Sequence, residues 1–238
     1  MSSNQSSLIL IPGVLSDKIV WEHAIEHFSK SMPVFVVDQT KHDNFTDMAV
    51  EALTLADGPL SIAGHSLGAR VMMEMYRQAP ERIDRLAFLD TRTLGVAEGE
   101  PAVRQTMIDL GFNEGLRTVA EGWLPPMVNP ARHDDSELMG ALFAMVERQT
   151  PQILERQLRA MMSRPDLEDV IKKITCPTLI AVGRQDGFST VAMHEELAEK
   201  IPHAKLVIYE DAGHFAPIET PEQVTNSLVD WIASNKSA

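Results

Sequence analysis

The 238-residue sequence predicts an α/β fold: a doubly wound, mostly parallel sheet interrupted once by a helical cap insertion. Two observations carry that expectation. Short continuous apolar runs alternate with amphipathic helical patterns without hairpin signals between them, which suits parallel strands buried on both faces. One long stretch, residues 91–173, carries helical patterns and no strand-like run. The expected organisation is therefore a single domain over 1–238, with a core of 8–90 and 174–234 and a cap of 91–173.

The first strand is read at 8–11, stopped by Pro12-Gly13, and Ile19, Val20, Ala24, Ile25 and Phe28 then recur at helical spacing. A strand follows at 33–38, and Phe45, Met48, Ala49 and Leu53 make the next helix. Pro59 opens the strand that leads into Gly64-His65-Ser66-Leu67-Gly68, and the helix beyond it stops at Pro80. Residues 85–90 form another strand. Within 91–173, prolines and Gly111 cut the pattern into helices, the clearest containing Leu138, Leu142, Met145 and Val146, and then Ile153, Leu154, Gln157, Leu158 and Met161. Alternation resumes with a strand at 177–182, a helix at 190–200, a strand at 205–209 and a last helix at 221–234.

Composition excludes several classes. The chain is 44% hydrophobic and 23% charged, which is ordinary for a globular protein. A formal net charge of −13 repels phosphate backbones, so no nucleic-acid partner is expected. No apolar run approaches membrane-spanning length, and the polar 1–7 segment lacks the pattern of a secretory signal, so the expectation is a cytoplasmic protein with a loose polar leader and no membrane contact. The one cysteine, Cys176, reads as a small buried hydrophobe. Neither a Cys/His cluster nor a dinucleotide-type glycine loop is present, so no metal or other cofactor is expected.

The Gly-x-Ser-x-Gly pentapeptide is where chemistry is expected. Glycines at 64 and 68 let strand and helix approach closely around a strained turn, which lifts the Ser66 hydroxyl to a helix N-terminus. A serine hydroxyl is a weak nucleophile until a base takes its proton, and that base needs a third group to fix its tautomer. Ser66, Asp186 and His214 supply those roles in the chain order serine, acid, histidine. Among eight histidines, His23 and His27 lie on a helix face, and His133, His194 and His203 sit in polar, exposed-looking stretches. His65 flanks the serine with its side chain expected to point away, while His42 could reach the rim of the site. Asp90, which ends the strand after the nucleophile helix, stays open as an alternative acid to the favoured Asp186. The N–H of Leu67 and that of Val14 are the expected oxyanion donors.

Taken with Pro12-Gly13-Val14-Leu15, Asp90-Thr91-Arg92, Cys176-Pro177-Thr178, Gly183-x-x-Asp186 and Gly213-His214, that pentapeptide resembles the α/β-hydrolase superfamily from residue 8 to residue 231. The likeness is to small capped members such as 3-oxoadipate enol-lactonases and carboxylesterases. Two departures stand out: Pro12-Gly13 replaces a common His-Gly, and few residues precede the first strand, which implies a minimal sheet of six parallel strands. The resemblance implies a serine hydrolase cleaving a small carboxylic ester, thioester or lactone through an acyl-enzyme on Ser66. A lyase or acyltransferase with the same three residues, or a slow ligand-binding receptor, remains open. The implied partner is a small molecule with an apolar part. Trp123, Met139, Phe143 and Met161 in the cap are candidate pocket walls, although most such residues pack cap onto sheet. Arg92 could hold a substrate carboxylate, lie free on the surface, or pair with Asp90.

Overall fold

The computed structural model describes residues 6–234. Six strands, β1 (Ser7–Ile11), β2 (Val34–Val36), β3 (Leu60–His65), β4 (Ile83–Leu89), β5 (Thr178–Gly183) and β6 (Lys205–Tyr209), pair in parallel in the order β2-β1-β3-β4-β5-β6. The expected parallel sheet of six strands is thus observed. Every residue of β1, β3 and β5 is buried, which is why these strands read as predominantly apolar runs, with Ser7, Ser61, His65 and Thr178 as buried polar exceptions. The edge strands β2 and β6 are only half-buried. The expected polar leader falls mostly on residues 1–5, outside the described residues, and Ser7 already belongs to β1.

The connections are α1 (Glu22–Phe28), α2 (Phe45–Leu53) and α3 (Leu67–Gln78) in the first half, then α4 (Glu100–Glu114), α5 (Leu116–Trp123), α6 (Ser136–Glu147), α7 (Pro151–Met162) and α8 (Glu168–Ile171) between β4 and β5. α9 (Val191–Lys200), α10 (Ala216–Glu219) and α11 (Pro221–Ala233) complete the chain. Because parallel crossovers are right-handed, β1→β2 and β2→β3 run in opposite directions and place α1 and α2 on opposite faces. α2 then packs on α3, and α1 packs on α11. The reversal of winding lies between β1 and β3, so the loops leaving those two strands border the crevice where ligands of open parallel sheets bind.

Two sequence expectations need correction. Gly111 does not break a helix; it lies buried inside α4, where a Cβ would stand 3.0 Å from a methyl carbon of Leu154 on α7. Its missing side chain lets those helices approach. His194 is not exposed but fully buried: its Nδ1–H donates to Thr190 O at 3.0 Å and its Nε2 accepts the Thr91 N–H at 3.1 Å. Cys176 is half-buried, with burial pushing its thiol up to about 11, consistent with an inert side chain.

Candidate active site

Ser66 stands between β3 and α3 with φ 54° and ψ −116°, a conformation that costs a non-glycine residue on the order of 1–3 kcal/mol. The turn is over-determined by its neighbours. Its N–H donates to Leu89 O at 2.9 Å, its carbonyl accepts from Thr91 Oγ1 at 2.9 Å, and a Cβ on Gly68 would fall 2.2 Å from Ile11 O. Only glycine at 68 lets α3 start this close to β1.

The Ser66 Oγ–H points to His214 Nε2 at 2.9 Å, and His214 Nδ1–H donates to Asp186 Oδ2 at 2.8 Å. His214 and Asp186 are both buried, while Ser66 is half-buried on a cavity wall. Asp186 is further held by the N–H groups of Phe188 and Ser189, each at 2.8 Å, and by Ser189 Oγ at 2.5 Å. Burial alone would raise its carboxyl, yet the His214 charge and these hydrogen bonds hold it down at about 2. The carboxylate is therefore ionised wherever the imidazole needs it.

Asp90 occupies a different place. Its Oδ1 accepts the Gly183 N–H at 2.9 Å, and its Oδ2 faces His65 Nε2 at 3.9 Å rather than His214. Burial first, then the negative charge of Asp186, pushes its carboxyl well above the usual range. His65 also differs from expectation, because its side chain does not simply turn away. Its Nε2–H donates to His214 O at 2.6 Å, and burial followed by the His214 charge lowers it to about 3, so it braces the His214 loop as a neutral ring. His42 does not reach the site; it pairs with Glu51 Oε2 at 2.7 Å.

Val14, in the loop after β1, lines the same cavity as Ser66, and Leu67 opens α3 directly after the serine. Among the described residues, neither backbone N–H donates to another protein group, which leaves both available to a ligand oxygen. The next N–H in that loop, from Leu15, is taken by Gln157 Oε1 at 2.8 Å. Leu15 is fully buried at φ 51°.

A cavity of about 500 Å³ opens over Ser66 and is walled by Val14, Arg92, Trp123, Met161 and Phe188 among others. Met139 and Phe143, named in the sequence as candidate walls, do not line it. Both belong to α6, where Met139 is buried in the core and the Phe143 ring lies under the Arg117 guanidinium at 4.2 Å. Arg92 does not pair with Asp90; its guanidinium carbon sits 4.5 Å above the Phe188 ring centroid.

Several residues of the site escaped sequence reading. Glu219, buried on α10, accepts the N–H groups of Gly213 (2.9 Å), Phe215 (3.1 Å) and Asn129 (2.8 Å), tying the His214 loop to the segment after α5. Gln157, buried on α7, also reaches Gln39 O at 3.3 Å. Glu219 carries no local signal, and Gln157 shows in sequence only as a member of the 153–161 helical pattern, since the partners of both are far away in the chain. Ser189 does carry one, because Asp-Gly-x-Ser at 186–189 is the pattern of a side-chain-closed turn.

A family model described as "Alpha/beta hydrolase family" matches residues 8–227. An (E)-2-((N-methylformamido)methylene)succinate hydrolase from Acinetobacter baylyi is 26% identical, covering 94% of this chain and 89% of its own. Among solved structures, a malate-bound thermophilic esterase from Thermogutta terrifontis superposes with a TM-score of 0.87 at 24% identity, covering 96% of this chain and 89% of its own. An enol-lactonase from Burkholderia xenovorans LB400 has a TM-score of 0.87 at 20% identity, with 98% and 94% coverage.

Proposed function

Since the chain belongs to the alpha/beta hydrolase family, we propose that it is a serine hydrolase that cleaves a small carboxylic ester, thioester or lactone through an acyl-enzyme on Ser66. The observation that carries this reading is the continuous hydrogen-bond path from Ser66 Oγ through His214 to Asp186, 2.9 Å and 2.8 Å long, opening on an apolar-walled cavity. Each residue then has a definite task. His214 Nε2 takes the Ser66 proton as Oγ attacks the substrate carbonyl, and Asp186 stabilises the imidazolium and keeps Nε2 free of hydrogen in the resting ring. The N–H groups of Val14 and Leu67 receive the oxyanion. Collapse expels the alcohol, thiol or lactone oxygen, which His214 protonates. Water then attacks the acyl-enzyme, again giving its proton to His214, and the acid leaves with Ser66 restored.

Trp123 and Met161 act as apolar walls for the substrate, and a cytoplasmic location forms part of the same reading; among the described residues no helix is long and apolar enough to cross a membrane. The test is covalent labelling by a fluorophosphonate together with turnover of a panel of short acyl esters. Wild type should label on Ser66 and turn over at least one ester. Ser66→Ala should lose both while its melting temperature stays nearly unchanged, since one half-buried hydroxyl is removed. A folded wild type that neither labels nor hydrolyses sinks the reading.

A further inference from the structure

We propose that the cavity over Ser66 contains a carboxylate subsite centred on the Arg92 guanidinium, so that the substrate is a small ester carrying a free carboxylate a short spacer away from its scissile carbonyl. The inference rests on the ester-hydrolase reading above and adds the substrate class. Arg92 and Ser66 line the same cavity. The Arg92 guanidinium carbon lies 4.5 Å above the Phe188 ring centroid, and the Phe188 ring stands edge-on 5.3 Å from the His214 imidazole. Those two distances laid end to end bound its separation from the base, which leaves room for only a short linker.

Charge balance points the same way. Glu100 is the one acidic residue on the cavity wall, and its carboxylate is already used twice. Arg164 bonds both of its oxygens at 2.6 Å, and Arg104 donates to Oε1 at 2.7 Å. Arg70, buried beneath, spends its hydrogen bonds on the carbonyls of Leu94 and Pro165. Among the described residues no carboxylate pairs with Arg92. Burial first, then repulsion from Arg164 and Arg92, makes Arg70 harder to keep charged; for Arg104 burial outweighs the Glu100 hydrogen bond that favours its charge, and Arg164 and Arg92 add repulsion. Four guanidiniums here share one hydrogen-bonded carboxylate, Glu100, with Asp166 adding its charge near Arg70, so the cluster is short of anions, although the protein as a whole carries −13. A bound carboxylate supplies the missing charge and meets Arg92 as a planar, two-pronged partner.

The subsite is also built in advance. Thr91, directly before Arg92, gives its N–H to His194 Nε2 at 3.1 Å and its hydroxyl to Ser66 O at 2.9 Å, so the backbone that carries the guanidinium is tied to the nucleophile turn. Arg164 holds the Gly95 carbonyl at 2.9 Å farther along the same loop. Fixing the loop before binding reduces the ordering cost that a ligand must meet.

The test uses pairs of esters that differ only in charge. Monomethyl glutarate against methyl 4-carbamoylbutanoate places the carboxylate on the acyl side; the butyryl ester of glycolate against that of glycolamide places it on the alcohol side. In wild type, kcat/KM should favour the carboxylate by roughly tenfold or more in at least one pair, which also identifies the side. Arg92→Gln should collapse that ratio towards one, mainly through KM, and Arg92→Lys should retain part of it. A ratio near one in both wild-type pairs, or one unchanged in Arg92→Gln, overturns the proposal. Glutarate binding to Ser66→Ala, followed by calorimetry, separates this proposal from the hydrolase reading. Binding lost in Ser66→Ala/Arg92→Gln supports the subsite even if no ester turns over, and binding that is absent or independent of Arg92 refutes it.

Discussion

Gln157 Oε1 accepts the backbone N–H of Leu15 at 2.8 Å, which joins helix α7, inserted between β4 and β5, to the loop that leaves β1. Its amide Nε2 donates to Gln39 O at 3.3 Å, and Gln39 Nε2 donates in turn to Pro12 O at 2.9 Å. Two buried glutamines therefore clamp the Pro12–Leu15 turn on both sides. Leu15 is left-handed at φ 51°, a conformation leucine adopts only when its surroundings impose it.

If the Val14 N–H receives the oxyanion, loosening this clamp should be felt in catalysis. Gln157→Leu leaves the Leu15 N–H buried without a partner, which destabilises the fold by about 1–3 kcal/mol. In an ester assay kcat should fall by roughly tenfold or more with a smaller change in KM, because a displaced donor is missed mostly in the transition state. A variant that loses stability but keeps wild-type kcat would mean that the clamp serves folding alone.

The two buried aspartates give opposite expectations. Asp186→Asn should lower kcat by about three orders of magnitude or more, since the amide cannot stabilise the His214 imidazolium and favours the wrong tautomer. Asp90→Asn should be mild, because burial already holds that carboxyl towards its neutral form and its bond to Gly183 N–H needs only an oxygen. The opposite ranking would make Asp90 the acid of the site.

Trp123 and Phe143 separate pocket from packing. Trp123 lines the cavity and meets the Phe215 ring edge-on at 6.2 Å, whereas Phe143 stacks under Arg117 away from it. Trp123→Ala should raise KM for bulky apolar esters far more than for acetates, as expected when buried apolar contact worth roughly 25 cal/mol per Å² is removed. Phe143→Ala should alter melting temperature without altering this selectivity. Equal effects on all esters from Trp123→Ala would make it a packing residue.

The buried histidines predict an acid-side loss of stability. His65 has an ordinary value of 6.5 and a folded value of about 3, lowered by burial and then by His214. The unfolded chain takes up a proton that the folded chain refuses, so the contribution of His65 is intact above 6.5 and declines as pH falls from 6.5 towards 3. His194, lowered in the same direction, adds to the decline. By pH 5 the His65 share is about 1–2 kcal/mol. Melting temperature of wild type against His65→Gln should show a shallower fall between pH 6.5 and 4 in the variant; identical slopes would remove His65 from the account.

Local rules of chain geometry were enough to make part of this protein legible in one dimension. Buried parallel strands read as apolar runs at 8–11 and 177–182, and a glycine-flanked serine between strand and helix reads as a sharp turn because backbone sterics act over a few residues. What joins Ser66 to His214 and Asp186 is different in kind: it depends on β3, β5 and β6 sharing one direction, so that loops far apart in the chain open on the same edge of the sheet. Asp186 and Asp90 both lie beyond neighbouring strands, and it is the tertiary packing that turns the Asp186 carboxylate, and not that of Asp90, towards the imidazole. The helical stretch between β4 and β5 was less legible still. Helical periodicity marks α6 and α7, but whether a given apolar side chain faces cavity or core is set by helix rotation, and that rotation excluded Met139 and Phe143 from the cavity while admitting Met161. The roles of Glu219 and of Gln157, whose helical spacing alone was legible, carry no motif signal, because what distinguishes them is buried backbone N–H groups that only the folded chain leaves in need of an acceptor.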